Sequence, residues 1–198
     1  AVDWSVPPDP RLEPATEIVS VHGSSEAADT PSRIYSAVEG NFVRDALARG
    51  YRLGFLGSGD THDGHPGLAQ LASPTGGLTG VLSESVTAEG VLAAIHYRRT
   101  YATSGPRILL RVALDATAMG GTIGPGDHEL YVRVVGTAPL ERIDVVRSGK
   151  VATGAQCDGA LDFTSAYSLG ALQAGEYVYV RVLQRDGGAA WSSPIFVE

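Results

Sequence analysis

Hydrophobic and polar positions along the chain fall into two textures. Up to about residue 105, short apolar runs alternate with stretches of helical period. "TEIVSV", Thr16 to Val21, is a β-branched run of strand length and predicts a buried strand. "NFVRDALARG" sets Phe42, Ala46 and Leu47 on one helical face, with Asn41 as its N-cap and Gly50 as its stop. "YRLGFLGSG" predicts a strand that runs out into a loop. "TAEGVLAAIHYRR" predicts a second helix, capped by Thr87, with Val91, Leu92 and Ile95 as its apolar face. Strand, helix, strand, helix is the order of an α/β unit with parallel strands.

From Arg107 onward the helical period is gone. "RILLRVALD", "ELYVRVVGT", "RIDVVRSG", "EYVYVRVLQRDG" and "AWSSPIFV" alternate with period two, and Gly, Pro and Asp separate them. Short strands with regular punctuation predict an antiparallel β-sandwich. The boundary falls near Thr103 to Arg107, which divides the chain into an α/β portion, 1–105, and a β-sandwich, 106–198. The first portion has too few strands to close an α/β barrel. Its strands must pair with something else or lean on the sandwich.

Charge narrows the partners. The 198 residues carry 22 acidic and 15 basic side chains, a formal net charge of -7. A nucleic-acid binder would show a basic face, and anionic lipid would repel this chain; neither nucleic acid nor membrane is an expected partner. No apolar run reaches spanning length. The single cysteine, Cys157, excludes an internal disulfide, which fits a reducing compartment such as the cytoplasm. It has no cationic neighbour in sequence to activate it as a nucleophile. The opening "AVDWSVPPDP" has neither the basic start nor the apolar middle of a signal peptide, and no Met; a processed form or a fragment is expected.

The candidate chemistry is concentrated in two places. "GSGDTHDGHPG" places Asp60 and His62 two apart after a predicted strand, where extended backbone points both the same way. Carboxylate plus imidazole suits Zn, Mn or Fe, and the glycines let the backbone turn close to an ion. Asp63 and His65 could add ligands or outer partners. "EIVSVHGSSE" adds Glu17, His22 and Glu26 around the first predicted strand. Singly, each group also suits an exposed turn or a strand edge; two strand-linked clusters of the same composition point together to a metal site.

These two stretches, with "RRTYATSGPRILL" and "AWSSPIF", resemble the PHP superfamily, the polymerase and histidinol phosphatase group of metal-dependent phosphoesterases. The resemblance is to a branch whose PHP domain is followed by a C-terminal β-rich segment. It implies a distorted (β/α) barrel holding two or three metal ions. It implies that Asp60 and His62 are the ligands of the late D-x-H motif, that Glu17 bridges metals, and that His22 binds one ion. Glu26 and His65 match the branch's local pattern without an implied role.

The departure is as informative. The superfamily begins with H-x-H, and none of the five histidines here, His22, His62, His65, His96 and His128, forms one. The chain therefore resembles the C-terminal part of a PHP protein, with about half the metal ligands missing. The implied activity is hydrolysis of a phosphorylated small molecule by metal-activated water, weak or absent without the missing ligands. An N-terminal fragment of the same protein, or self-association, is the expected partner, because a part-barrel exposes apolar strand edges. The contrasting expectation is a non-catalytic binding or assembly module built on the sandwich.

Other groups have plainer readings. His96 and the arginines Arg98, Arg99 and Arg107 suit a helix end, although the arginines could meet a phosphate. His128 suits a turn. Trp191, Tyr131, Tyr177 and Tyr179 suit sandwich core and flank better than a sugar platform.

Overall fold

The computed structural model describes residues 2–62, 64 and 76–198, and in it the chain is rich in strand. The N-terminal part carries β1 (Ala15–Ser20), β2 (Gly23–Ser24), α1 (Val43–Ala48), β3 (Gly54–Gly57), β4 (Leu78–Val81), α2 (Ala88–His96) and β5 (Thr100–Thr103). Strands alone follow: β6 (Leu109–Leu114), β7 (Thr117–Ala118), β8 (Thr122–Ile123), β9 (Gly126–Val135), β10 (Leu140–Arg147), β11 (Lys150–Gln156), β12 (Asp162–Leu172), β13 (Tyr177–Gln184), β14 (Ala189–Ser192) and β15 (Ile195–Val197). No helix among the described residues is long and apolar enough to cross a membrane.

Among the described residues the strands form three sheets and close no barrel. The largest runs β11-β10-β13-β14-β5-β4, with β15 alongside β13 and β8 alongside β15. A second runs β12-β9-β6-β7, and a third runs β2-β1-β3. The second sheet packs on one face of the first. Leu110, Val112, Leu130, Val132 and Val134 meet Ile143, Val145, Val178, Val180 and Val182 in one buried cluster. Burying each such side chain is worth roughly 1.5–3 kcal/mol. The other face of the large sheet is covered by the N-terminal part, where Ile18, Val43, Leu47 and Phe55 meet Tyr177, Tyr179, Leu183 and Trp191.

This three-layer arrangement explains β13, whose eight residues are all buried. A strand covered on both faces loses the polar-out alternation of a sandwich strand. It also shows how the two textures of the sequence meet. β5 precedes the boundary expected near Thr103 to Arg107, yet it pairs with β14, through Ala190 and Thr103, Trp191 and Ala102, and Ser192 and Tyr101. The expected sandwich and the expected α/β portion thus share one sheet.

β1 and β3 are parallel, with α1 between them in sequence. The free edge of β3 is tied to the large sheet by hydroxyls rather than by a ladder. Ser193 Oγ accepts from the Phe55 N–H at 2.8 Å, Thr100 Oγ1 donates to the Phe55 carbonyl at 2.9 Å, and Thr79 Oγ1 bonds both backbone groups of Gly57. Backbone that no strand covers is satisfied by side chains. On the far side of β1, no strand pairs with Ala15–Glu17 among the described residues.

The helices differ from expectation at their ends. α1 is capped at Phe42, not Asn41; the Asp45 carboxylate accepts from the Phe42 N–H at 2.9 Å, while the Asn41 carbonyl accepts from Trp4 Nε1. Gly50 stops it as expected, at φ +84°. α2 is capped by Thr87, whose side chain accepts from the Gly90 N–H. It buries Ala94 between half-buried Val91 and Ile95 and leaves Leu92 66% exposed, so of the expected stripe of Val91, Leu92 and Ile95 only Leu92 lies off the packed face. α2 covers the sheet edge with a small residue, which brings its backbone close.

Arg181 sits on the apolar N-terminal-facing side of β13 and is 3% exposed. It is neutralised from two sides. Asp144, directly across on β10, accepts from Nε and Nη2 at 3.0 and 2.8 Å. Glu26, from the loop after β2, accepts from Nη1 at 3.1 Å. Glu26 is fully buried and also accepts from Trp191 Nε1 (2.7 Å), Tyr179 Oη (2.6 Å), Thr30 Oγ1 (2.7 Å) and Arg44 Nη2 (2.9 Å). Burial pushes its carboxyl up, but Arg181, Tyr179, Arg44 and Thr30 together hold it below the usual range. Glu26 is thus the bolt between the N-terminal layer and the large sheet. The sequence places Glu26 in a candidate metal cluster and gives no sign of this role, because its partners lie far along the chain.

His128, expected in a turn, is on β9. Its Nδ1 meets Asp115 Oδ2 at 2.7 Å and its Nε2 meets the Gly124 carbonyl at 2.8 Å. Two acceptors ask for two N–H donors, which is the imidazolium. The bond to Asp115, then that to Gly124, raises the His128 pKa. The clamp therefore contributes fully below the ordinary His value of about 6.5 and is lost as pH rises through the higher folded value. Urea midpoints measured across that window should fall with rising pH in the parent, and the fall should be smaller in Asp115→Asn. Parallel curves for the two proteins would refute the clamp.

Candidate metal site

β1 and β3 end at the same edge because they run parallel, and the Ser58 N–H still donates to the Val19 carbonyl at 3.1 Å. The carboxyl ends of parallel strands are where α/β folds gather reactive groups. β1 turns there into β2 through Val21 and His22, a two-residue connection set by the pairs Val19–Ser24 and Ser20–Gly23. Gly23 is required in this turn. Its φ is +108°, and a Cβ would lie 2.5 Å from the Ser32 carbonyl oxygen. β3 runs out through Ser58 to Asp60, whose backbone is left-handed at φ +46°, a conformation that Asp tolerates better than most residues.

The result is that three side chains converge. One ligand atom each from His22, Asp60 and His62 lies within 4.8 Å of the others. His22 Nε2 is 3.4 Å from Asp60 Oδ2, and the His22 and His62 rings meet edge-on with centroids 5.3 Å apart. Ser20 Oγ lies 3.5 Å from the same Asp60 oxygen and accepts from the His22 N–H at 3.3 Å. The exposed Tyr35 ring packs edge-on against His22.

The donor set fits a divalent cation. Two ligands on one tetrahedral ion, each about 2.0–2.2 Å from it, are spaced by about 3.3 Å. The His22–Asp60 spacing is already of that size, and it is long for a good hydrogen bond. Asp60 and His62 are exposed, so rotation about side-chain bonds can bring the third donor in. Three protein ligands of this kind leave room for water or a substrate oxygen.

Glu17, expected to bridge metals, lies on β1 beside the group and is exposed, but it is not one of the three converging residues. Its carboxylate accepts from Ser58 Oγ. The pairing of β1 with β3 slips between Glu17 and Val19, so Ile18 is an extra residue there. Glu26 faces the buried network instead. Asp63 and His65 lie outside the described residues. Cys157 is buried, and burial pushes its thiol up, away from reactivity. Tyr177, Tyr179 and Trp191 are core, whereas Tyr131 is half exposed and donates to Glu129.

A family model described as a protein of unknown function, DUF3604, matches residues 67–119. An uncharacterized protein of Chlamydia pneumoniae is 29% identical over 96% of this chain and 35% of its own length. One from Chlamydia trachomatis is 28% identical over the same shares. The chain thus spans about a third of the length of the curated relatives it matches. Among solved structures, an engineered protein aligns with 48% of this chain and 20% of its own at 19% identity and a TM-score of 0.31. A modular endo-β-1,4-mannanase from Cellulomonas fimi aligns with 48% of this chain and 19% of its own, at 19% identity and a TM-score of 0.28. Scores this low carry no argument about fold or activity.

Proposed function

We propose that this chain is the C-terminal part of a PHP-type metal-dependent hydrolase acting on phosphate esters, and that it contributes part of the metal centre. The observation that carries the reading is the convergence of His22, Asp60 and His62 at the carboxyl ends of two parallel strands. The relatives' greater length leaves room for the remaining ligands elsewhere in the polypeptide. The edge of β1 at Ala15–Glu17 offers a place for further strand pairing, beside a hollow of about 490 Å³ lined in part by Trp4, Ile34, Val38 and Phe42.

In this reading His22 and His62 hold the ion through ring nitrogens and Asp60 through its carboxylate. A bound divalent ion of the Mn, Zn or Fe type lowers the pKa of a coordinated water and draws charge from a phosphoryl oxygen. Ser20 orients Asp60, and Glu17, held by Ser58, keeps a second carboxylate at the rim.

The test is hydrolysis of p-nitrophenyl phosphate by a polypeptide extended to the relatives' full length. Activity that requires added Mn or Zn and disappears in Asp60→Asn is the expected result. A full-length protein that binds metal through these residues but hydrolyses no phosphate ester would remove the phosphoesterase assignment.

A further inference from the structure

A cleft of about 530 Å³ lies between the corner joining α2 to β5 and the β6–β7 hairpin. Its lining includes Arg98, Arg99 and Arg111, and no Asp or Glu. In a chain of net charge -7 this is a local reversal of sign. The guanidiniums are poorly compensated by the protein itself. Arg99 meets Glu84 at 3.3 Å, but Glu84 is 91% exposed, where such a pair is worth little. Half-buried Arg98 donates to the Gly120 carbonyl at 3.2 Å and lies over the Phe196 ring, 5.9 Å from its centroid; burial and nearby Arg52 disfavour its charge, and the more distant Glu198 offsets them only in part. Arg111 stands directly across from Arg133, a like-charge pair that destabilises a sheet, and Arg133 leans to Asp162 at 3.3 Å. No carboxylate within 4.0 Å of Arg98 or Arg111 is found among the described residues. The wall also carries Leu82, buried Met119 and Tyr97, which is 58% exposed, beside the threonines Thr117 and Thr122.

The cleft is not an extension of the metal group. The Arg98 side chain packs on Gly54, where a Cβ would lie 2.8 Å from the Arg98 Cβ, at the start of β3. His22 and Asp60 follow the opposite ends of β1 and β3. The length of β3 alone separates the two places by roughly 10 Å.

We propose that this cleft is a second ligand site, for a small phosphorylated molecule with an aromatic or apolar body. The guanidiniums take the phosphate oxygens through charge-assisted hydrogen bonds. Tyr97 and Leu82 take the body, and the volume suits a ligand of that class. The site stands whether or not the metal centre hydrolyses phosphate esters.

The probe is phenyl phosphate, added to the chelator-treated chain and followed by backbone amide NMR. Saturable shifts are expected at Arg98, Arg99, Arg111 and Gly120, with affinity falling as salt rises. Phenol should shift none of them. Arg111→Gln, at an exposed position where it also relieves the like-charge pair with Arg133 and so should not unfold the chain, should weaken binding by about tenfold, the worth of one charge-assisted bond. Three results would each overturn the proposal: no shifts up to millimolar probe, equal binding by Arg111→Gln, or shifts confined to the neighbourhood of His22 and His62.

Discussion

Replacing Glu26 by Leu is expected to lower folding stability by about 3–5 kcal/mol, the cost of stripping one partner from a buried ion network. The carboxylate receives hydrogen bonds from Arg181, Arg44, Tyr179, Trp191 and Thr30, and all of these donors except the partly exposed Arg44 are buried away from water. Leu fills much of the space but leaves the Trp191 and Tyr179 donors unpaired and Arg181 with Asp144 alone. Urea unfolding followed by tryptophan fluorescence gives the number. The control is Asp29→Ala, which removes an exposed partner of Arg44 and should cost no more than about 1 kcal/mol. Equal effects for the two variants would show that the Glu26 network does not join the layers. The network also sets an acid limit. Because Glu26 titrates below its ordinary value in the fold, its contribution is present above the unfolded value and is lost as pH falls through the folded one.

The second large effect is on metal affinity. Asp60→Ala should weaken Zn or Mn binding by more than about a hundredfold, since it removes a direct ligand rather than an outer partner. Ser20→Ala, which unties the Asp60 carboxylate and the His22 N–H but removes no ligand, should weaken binding by about tenfold. Asp60 is exposed but its backbone is left-handed at φ +46°, so Asp60→Asn, which tolerates that conformation, is the companion variant that should leave the urea midpoint of the metal-free protein nearly unchanged and so separate ligand loss from unfolding. Calorimetric titration of parent and variants measures both steps. A Glu17→Ala protein that loses as much affinity as Asp60→Ala would mean that Glu17 also reaches the ion, as the family resemblance implies.

Much of this was legible where the signal is local. The runs "TEIVSV" and "EYVYVRVLQ" mark β1 and β13 because β-branched and aromatic residues suit extended backbone. Thr87 marks a helix start through its own hydroxyl. Asp60 and His62 are two apart, and His22 follows a strand, so their meeting needed only that β1 and β3 be parallel neighbours. What was not legible depends on distant partners. β11 and β12 mix apolar residues with Thr and Gly, and in β12 also Ser, and they are strands because β10 and β9 offer edges to pair with. The alternation of "EYVYVRVLQ" predicts one buried face; the second is buried because β1, α1 and β3 fold onto it. Glu26 and Arg181 are 155 residues apart in sequence, and nothing near either one announces the other. His128 looks like a turn residue until Asp115 and Gly124 are placed around it.

The proposed function requires that His22, Asp60 and His62 together hold a divalent ion. The most direct measurement follows the imidazole NMR signals of His22 and His62 while Zn is added to this chain. Both rings are expected to shift together and saturate at one ion per chain, Asp60→Ala to remove the response, and His96 and His128 to stay unchanged. Rings that respond separately, or not at all while Zn binds elsewhere, would contradict it.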